Sequence, residues 1–227
     1  MPTQPPIQTT EVTPATPQDI DRAMDALELA AASAERGMLV GVLPPAPREG
    51  FRAAARLDVA RVRERLDRVV MGQDPEVGLD ALLETGALDA LFPEVHAMVG
   101  FGDGEWRHKD VWKHTKQVVR QAVPRLEVRW ASLFHDIGKV KTRSISPEGK
   151  VHFLGHAEVG TRMFDKLERR LRAAASRRRV HHGRRTPTSV AAATASSIQE
   201  LGLDDVDLRI SAHMEQVGIG TPARWAA

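Results

Sequence analysis

The run Leu133-Phe134-His135-Asp136-Ile137-Gly138-Lys139 places a His-Asp pair between an apolar helical segment and a glycine turn, so two metal-ligand types meet at a helix end. His114 and His156 flank it symmetrically. The midpoint between His114 and His135 falls at Pro124-Arg125, where proline is expected to separate a helix over about residues 109–122 from one starting near Leu126. At about 1.5 Å rise per residue, each histidine then sits about 15 Å from the turn. An antiparallel pair joined by a short loop would hold the two imidazoles side by side.

The apolar stripes agree with that pairing. Val111, Thr115, Val118 and Ala122 share a face with His114, while Trp130, Phe134 and Ile137 lie beside His135, so both histidines are expected to point inward. A single inward histidine is ordinarily a satisfied core residue. Two histidines and an adjacent aspartate converging in a helical core are costly to bury without pairing or a cation, and metal binding is the favoured reading.

His156 opens a further helical pattern, sharing a side with Val159, Gly160, Met163, Leu167 and Leu171. From this pattern alone it is either a fourth site residue or a helix-start histidine bonding locally. Between the two lies Lys141 to Phe153, which alternates around Pro147-Glu148-Gly149 and reads as a hairpin-like excursion. His108 and His152 are read as peripheral.

Three blocks, Asp110-Val111-Trp112-Lys113-His114-Thr115, His135-Asp136-Ile137-Gly138-Lys139 and Gly155-His156-Ala157-Glu158-Val159-Gly160, together resemble the HD domain of CCA-adding tRNA nucleotidyltransferases. The preceding segment, from Arg61-Val62-Arg63-Glu64-Arg65-Leu66 to Glu84-Thr85-Gly86-Ala87-Leu88-Asp89-Ala90-Leu91-Phe92-Pro93-Glu94-Val95, is similar to the helical neck that joins the catalytic head to the HD domain in that family. The resemblance covers about residues 50–172. It implies an all-α chain, a helical neck followed by an HD-superfamily bundle.

The neck also makes physical sense by itself. Asp74 can cap a helix with Pro75 at its first position, Leu79, Leu82 and Leu83 supply a buried face, and Gly86 can close it. Leu88, Leu91 and Phe92 form a short following helix ended by Pro93. Packing is favoured over nucleic-acid contact for each of these leucines.

The family's head domain needs a Gly-Ser turn and a strand-borne Asp-x-Asp that holds two magnesium ions. No Gly-Ser pair occurs in the chain, and Asp205-Val206-Asp207 has the spacing without an apolar strand before it. The chain is expected to correspond to the second half of such an enzyme, free-standing or truncated, with no CCA addition by itself.

With 227 residues and 42% hydrophobic content, the chain can bury one helical body plus tails. Cysteine is absent, which excludes disulfides, thiolate catalysis and cysteine zinc sites and suits a cytoplasmic location. No apolar run of transmembrane length and no signal core is present, so neither membrane association nor export is expected.

The expected organisation is a disordered leader over 1–18, a helix and Pro-rich linker over 19–50, the neck over 51–98, the HD domain over 99–172 and a poorly defined basic tail over 173–227. The leader carries five prolines and five threonines and almost no large apolar residue. Residues 169–185 hold eight arginines, Arg169, Arg170, Arg172, Arg177, Arg178, Arg179, Arg184 and Arg185, beside His181 and His182. Such a run either attracts phosphate backbones in a salt-dependent way or is a solvated tail. The family supplies one more aspartate ligand from helices beyond this point. Asp204, Asp205 and Asp207 are candidates for it by position only, and His181 or His182 could substitute as nitrogen ligands.

Imidazole with carboxylate suits Mn, Fe, Co, Ni or Zn, with Mg also considered, and a bound cation makes hydroxide available near neutral pH for attack on phosphorus. His114, His135 and Asp136 are assigned as metal ligands, with His156 as the fourth candidate. Asp136, Lys139 and Arg143 are the candidate catalytic groups, the two cations neutralising charge that grows on phosphoryl oxygens. Lys139 as a plain solvated helix-end cation is an equal reading.

The resemblance therefore implies a metal-dependent phosphohydrolase acting on nucleotide or RNA phosphoesters, either 2′,3′-cyclic phosphates or phosphomonoesters. Two alternatives stand beside it. One is a non-catalytic tRNA- or RNA-binding module; the other is a subunit that needs a separate nucleotidyltransferase chain.

Overall fold

The computed structural model describes residues 14–42, 45–102 and 110–180, with side chains through residue 170. The proposed leader up to residue 13, His108, and the tail from residue 181 with its arginines, His181, His182, Asp204, Asp205 and Asp207 lie outside the described residues.

Helix α1 (Pro17–Arg36) starts on a full capping box. Thr16 accepts from the Asp19 backbone while the Asp19 carboxylate accepts from the Thr16 N–H at 2.9 Å, and Pro17 holds the first helical position. The chain is thus helical from Pro17, inside the stretch assigned to the leader. Gly37, at φ 66°, closes the helix in the left-handed region.

The neck follows as α2 (Arg48–Leu57), α3 (Val59–Met71), α4 (Pro75–Glu84), α5 (Ala87–Leu91) and α6 (Pro93–His96). Asp74 caps α4 through the Glu76 N–H and Pro75 is its first residue, as the sequence indicates. Leu79 and Leu82 are buried, and Leu83 packs partly against the same core.

Helix α1 is more than a preface to this neck. Ala23, Ala26, Leu27, Ala30, Ala31 and Ala34 are fully buried, and α1 packs on α2, α3 and α4. The small side chains let backbones approach closely: a Cβ on Gly72 or Gly78 would come within 2.7 Å of the Ala34 Cβ. The helix expected ahead of the neck is therefore present, and its alanine-rich stripe is a packing face against the neck helices.

The second half contains α7 (Val111–Gln121), α8 (Leu126–Phe134), the short α9 (Lys139–Thr142), the hairpin β1 (Ser144–Ile145) and β2 (Val151–His152), and α10 (His156–Val180). The strands are antiparallel, with Ser144 opposite His152 and Ile145 opposite Val151, and Gly149 at φ 81° turns the chain between them. Helix α10 continues to Val180, past the boundary expected at residue 172.

One apolar core runs through both halves. Phe92, between α5 and α6, meets Trp130 and Phe134 edge-on, each at 5.8 Å between ring centres, and Phe134 meets Phe164 of α10 at 5.1 Å. Aromatic pairs at this range add about 0.5–1.5 kcal/mol beyond their burial.

Arg129 of α8 is the polar counterpart of that seam. Only 7% exposed, its Nη1 donates to the carbonyls of Val70 at 2.8 Å and Gly72 at 3.0 Å, closing the C-terminal end of α3. Arg129→Ala leaves those carbonyls unpaired and is expected to cost roughly 2–3 kcal/mol. For a chain of this size that is a fall in thermal midpoint of about 4–12 °C. An unchanged midpoint in a thermal melt would show that burying the guanidinium already cancels its hydrogen bonds.

Candidate metal centre

The site forms where α7, the end of α8 and the start of α10 meet. Asp110 caps α7 by accepting from the Lys113 N–H at 3.1 Å, which fixes the first turn and sets His114 one turn from the end. The buried face of α7 is Val111, Trp112, Thr115 and Val119, and His114 sits at its rim with 46% of its side chain exposed. The expectation that both histidines point inward holds for His135, 7% exposed, and is corrected for His114. The rings are nevertheless neighbours, 5.5 Å apart at 63°.

Helix α8 ends at Phe134, and the following turn turns Asp136 into the core, 1% exposed. Around this carboxylate lie His135 Nε2 at 3.2 Å, His114 Nε2 at 3.7 Å and Lys139 Nζ at 2.6 Å, all from Oδ2. His156 Nε2 lies 3.8 Å from Oδ1. One ligand atom from each of His114, His135 and Asp136 falls within 4.8 Å of the others.

Two backbone carbonyls decide how the imidazoles present themselves. His135 Nδ1 lies 2.7 Å from the Ser132 carbonyl, and His156 Nδ1 lies 2.9 Å from the Phe153 carbonyl. A carbonyl only accepts, so each Nδ1 carries a proton, and in the neutral ring the Nε2 lone pair faces Asp136. His135 Nε2 is buried and has no hydrogen-bond partner. At 3.2 Å from Asp136 Oδ2, the neutral ring turns its lone pair toward a carboxylate oxygen with no proton between the two acceptors. A buried, unpartnered nitrogen beside a carboxylate, with its other nitrogen pinned to a carbonyl, is the arrangement a divalent cation requires. The donor set fits.

Electrostatics keep the set ready. Burial alone would raise the Asp136 pKa, but the neighbouring His135 and Lys139 outweigh it and hold the carboxyl well below the usual range. Burial pushes the His114 pKa down, against the pull of Asp136, so that imidazole favours its neutral, ligating form.

The remaining candidates fall as follows. Lys139 is bound to Asp136 and lies 5.7 Å from the centre of the Phe153 ring, so the plain solvated reading is set aside. Arg143 is exposed at the end of α9. His152 is exposed on β2, peripheral as expected. Ser132 and Phe153, which act through their carbonyls, carried no side-chain signal for such a role.

A family model described as "HD domain" matches residues 111–212, and one described as "Probable RNA and SrmB- binding site of polymerase A" matches residues 54–99. Over these two segments the chain is similar to an HD domain and to the RNA-binding region of polymerase A, and neither match reaches half of the chain. The HD match begins at the first residue of α7 and takes in His114, His135, Asp136 and His156. The neck match runs from within α2 past α6 and leaves α1 outside.

Among curated relatives, the CC-adding tRNA nucleotidyltransferase of Thermus thermophilus is 41% identical over 106 residues, 44% of this chain and 24% of the relative. The A-adding tRNA nucleotidyltransferase of Deinococcus radiodurans is 33% identical over 49% of this chain and 27% of its own length. The Multifunctional CCA protein of Mannheimia succiniciproducens is 32% identical over 51% and 29%. The chain thus spans less than a third of the length of these relatives. No solved structure matches it. No helix among the described residues is long and apolar enough to cross a membrane.

Proposed function

We propose that this chain is a divalent-metal-dependent phosphohydrolase acting on nucleotide or RNA phosphoesters, either 2′,3′-cyclic phosphates or phosphomonoesters. The observation that carries this reading is the buried, unpartnered His135 Nε2 facing an ionised Asp136. His114, His135 and Asp136 would hold the cation, with His156 as the fourth group. A cation bound there supplies Lewis acidity toward a phosphoryl oxygen and makes water a nucleophile near neutral pH; imidazole and carboxylate donors suit Mn, Fe, Co, Ni or Zn. Lys139 keeps Asp136 ionised and, with Arg143, offers positive charge to phosphoryl oxygens at the rim. In the overall reaction water forms one P–O bond, and the ester P–O bond breaks with its oxygen leaving protonated.

The names of the relatives and the neck match support an RNA substrate, tRNA among the candidates. The test is metal analysis of the purified chain, with manganese- or nickel-dependent release of phosphate from p-nitrophenyl phosphate and opening of 2′,3′-cyclic AMP. Metal-dependent turnover that disappears in Asp136→Ala supports the proposal; bound metal without turnover on any phosphoester overturns it.

The match over residues 54–99 specifically favours a second reading, a non-catalytic RNA-binding module. In that case tRNA affinity survives Asp136→Ala and falls in arginine-to-alanine variants of the tail.

A further inference from the structure

We infer that the β1–β2 hairpin is a positioning device for the metal centre, with Phe153 as its positioning residue. A hairpin of two residue pairs is too short to be stable by its own ladder. Its strand residues bury little: Ile145 is 58% exposed, and Leu154, just after β2, is 81% exposed. What ties it to the body is Phe153, whose ring lies 6.4 Å from that of Phe101, ahead of α7. The Phe101 carbonyl in turn accepts from the Val111 N–H, the first residue of the helix that carries His114.

Phe153 reaches the site in two ways. Its carbonyl accepts from His156 Nδ1 at 2.9 Å and so directs His156 Nε2 toward Asp136. Its ring lies 5.7 Å from Lys139 Nζ, the same ammonium that contacts Asp136. Phe153 therefore acts twice: its carbonyl, held in place by the packing of its ring on Phe101, fixes the tautomer of one candidate ligand, and its ring sets the place of the cation that balances another.

The inference rests on the metal-binding reading of His114, His135 and Asp136, and its test separates the two. In metal-stripped, 15N-labelled full chain at about pH 8, where imidazoles are ordinarily neutral, long-range proton–nitrogen correlation reports the His156 tautomer. Wild type, Phe153→Tyr and Leu154→Ala are expected to show Nδ1–H, and Phe153→Ala a mixture. Cobalt affinity is expected to fall about 10–100-fold in Phe153→Ala, the usual effect of losing such a supporting partner, and to recover in Phe153→Tyr. If Phe153→Ala lowers the thermal midpoint enough to cloud the comparison, Phe153→Leu keeps bulk without a π face and is expected to weaken cobalt in the same direction.

An unchanged tautomer in Phe153→Ala overturns the inference, even where every chain binds cobalt. A changed tautomer in chains that bind no cobalt supports the positioning role and overturns the metal reading.

Discussion

Gly138→Ala is expected to lower the thermal midpoint by about 6–12 °C, the effect of roughly 3 kcal/mol on a chain of this size, and to weaken divalent-cation binding in the same protein. The reason is space. Gly138 has φ −68°, a conformation any residue adopts, and alanine is the better helix former, so local propensity alone favours the substitution. A Cβ at this position, however, would fall inside the carbonyl oxygen of His156 and 2.7 Å from the Gly160 nitrogen. Both are backbone atoms of the first turns of α10, so no rotamer change relieves the clash. Overpacking ordinarily costs about 1–3 kcal/mol, and contact with backbone places this case at the upper end.

The first turn of α10 has to move, and it carries His156 away from its 3.8 Å approach to Asp136. Gly160→Ala is the matched control, because a Cβ there meets nothing closer than 3.5 Å. Equal melting midpoints and equal metal affinities for the two variants would sink the argument.

Gly138 also shows where the sequence was legible and where it was not. The glycine after His135-Asp136-Ile137 marks a turn on sight; that it admits α10 depends on a contact between segments far apart in the chain. The helix boundaries around Pro124, the Asp74-Pro75 cap and the Gly149 turn were readable because each is a local constraint on backbone conformation. The pairing of His114 with His135 followed from equal distances to one turn.

Nonlocal packing was harder to read. The alanines of α1 read as helix propensity, whereas their small size is what lets α3 and α4 approach through Gly72 and Gly78. Phe164, not placed on the expected stripe of α10, is the residue that meets Phe134. His114 lies one residue off the buried stripe of α7, a displacement of about 100° that periodicity over three turns does not resolve. The carbonyls of Ser132 and Phe153 have no sequence signature, because every residue has a carbonyl.

Asp136→Ala is expected to reduce divalent-cation affinity by two to three orders of magnitude while leaving the fold intact. Structural zinc sites with four protein ligands bind with about 10–16 kcal/mol, so one ligand is worth about 2.5–4 kcal/mol, or a factor of roughly 10²–10³. Asp136 should lie at the high end, since it is the group around which the three histidines are arranged and the only carboxylate in the described cluster.

The fold should survive because what Asp136 leaves behind can adjust. Lys139, 22% exposed, can turn its ammonium to water, and removing the carboxylate also removes the cost of burying it. His135 keeps its bond to the Ser132 carbonyl and so keeps its ring orientation. Asp136→Asn keeps the shape with a weaker, neutral donor and should fall between wild type and alanine. Calorimetric titration of the three full-length chains with manganese, cobalt and zinc measures this directly, with a thermal melt of each as the folding check. Wild-type affinity in a folded Asp136→Ala chain would mean that the cation binds elsewhere; graded loss through asparagine to alanine would identify the carboxylate as its anchor.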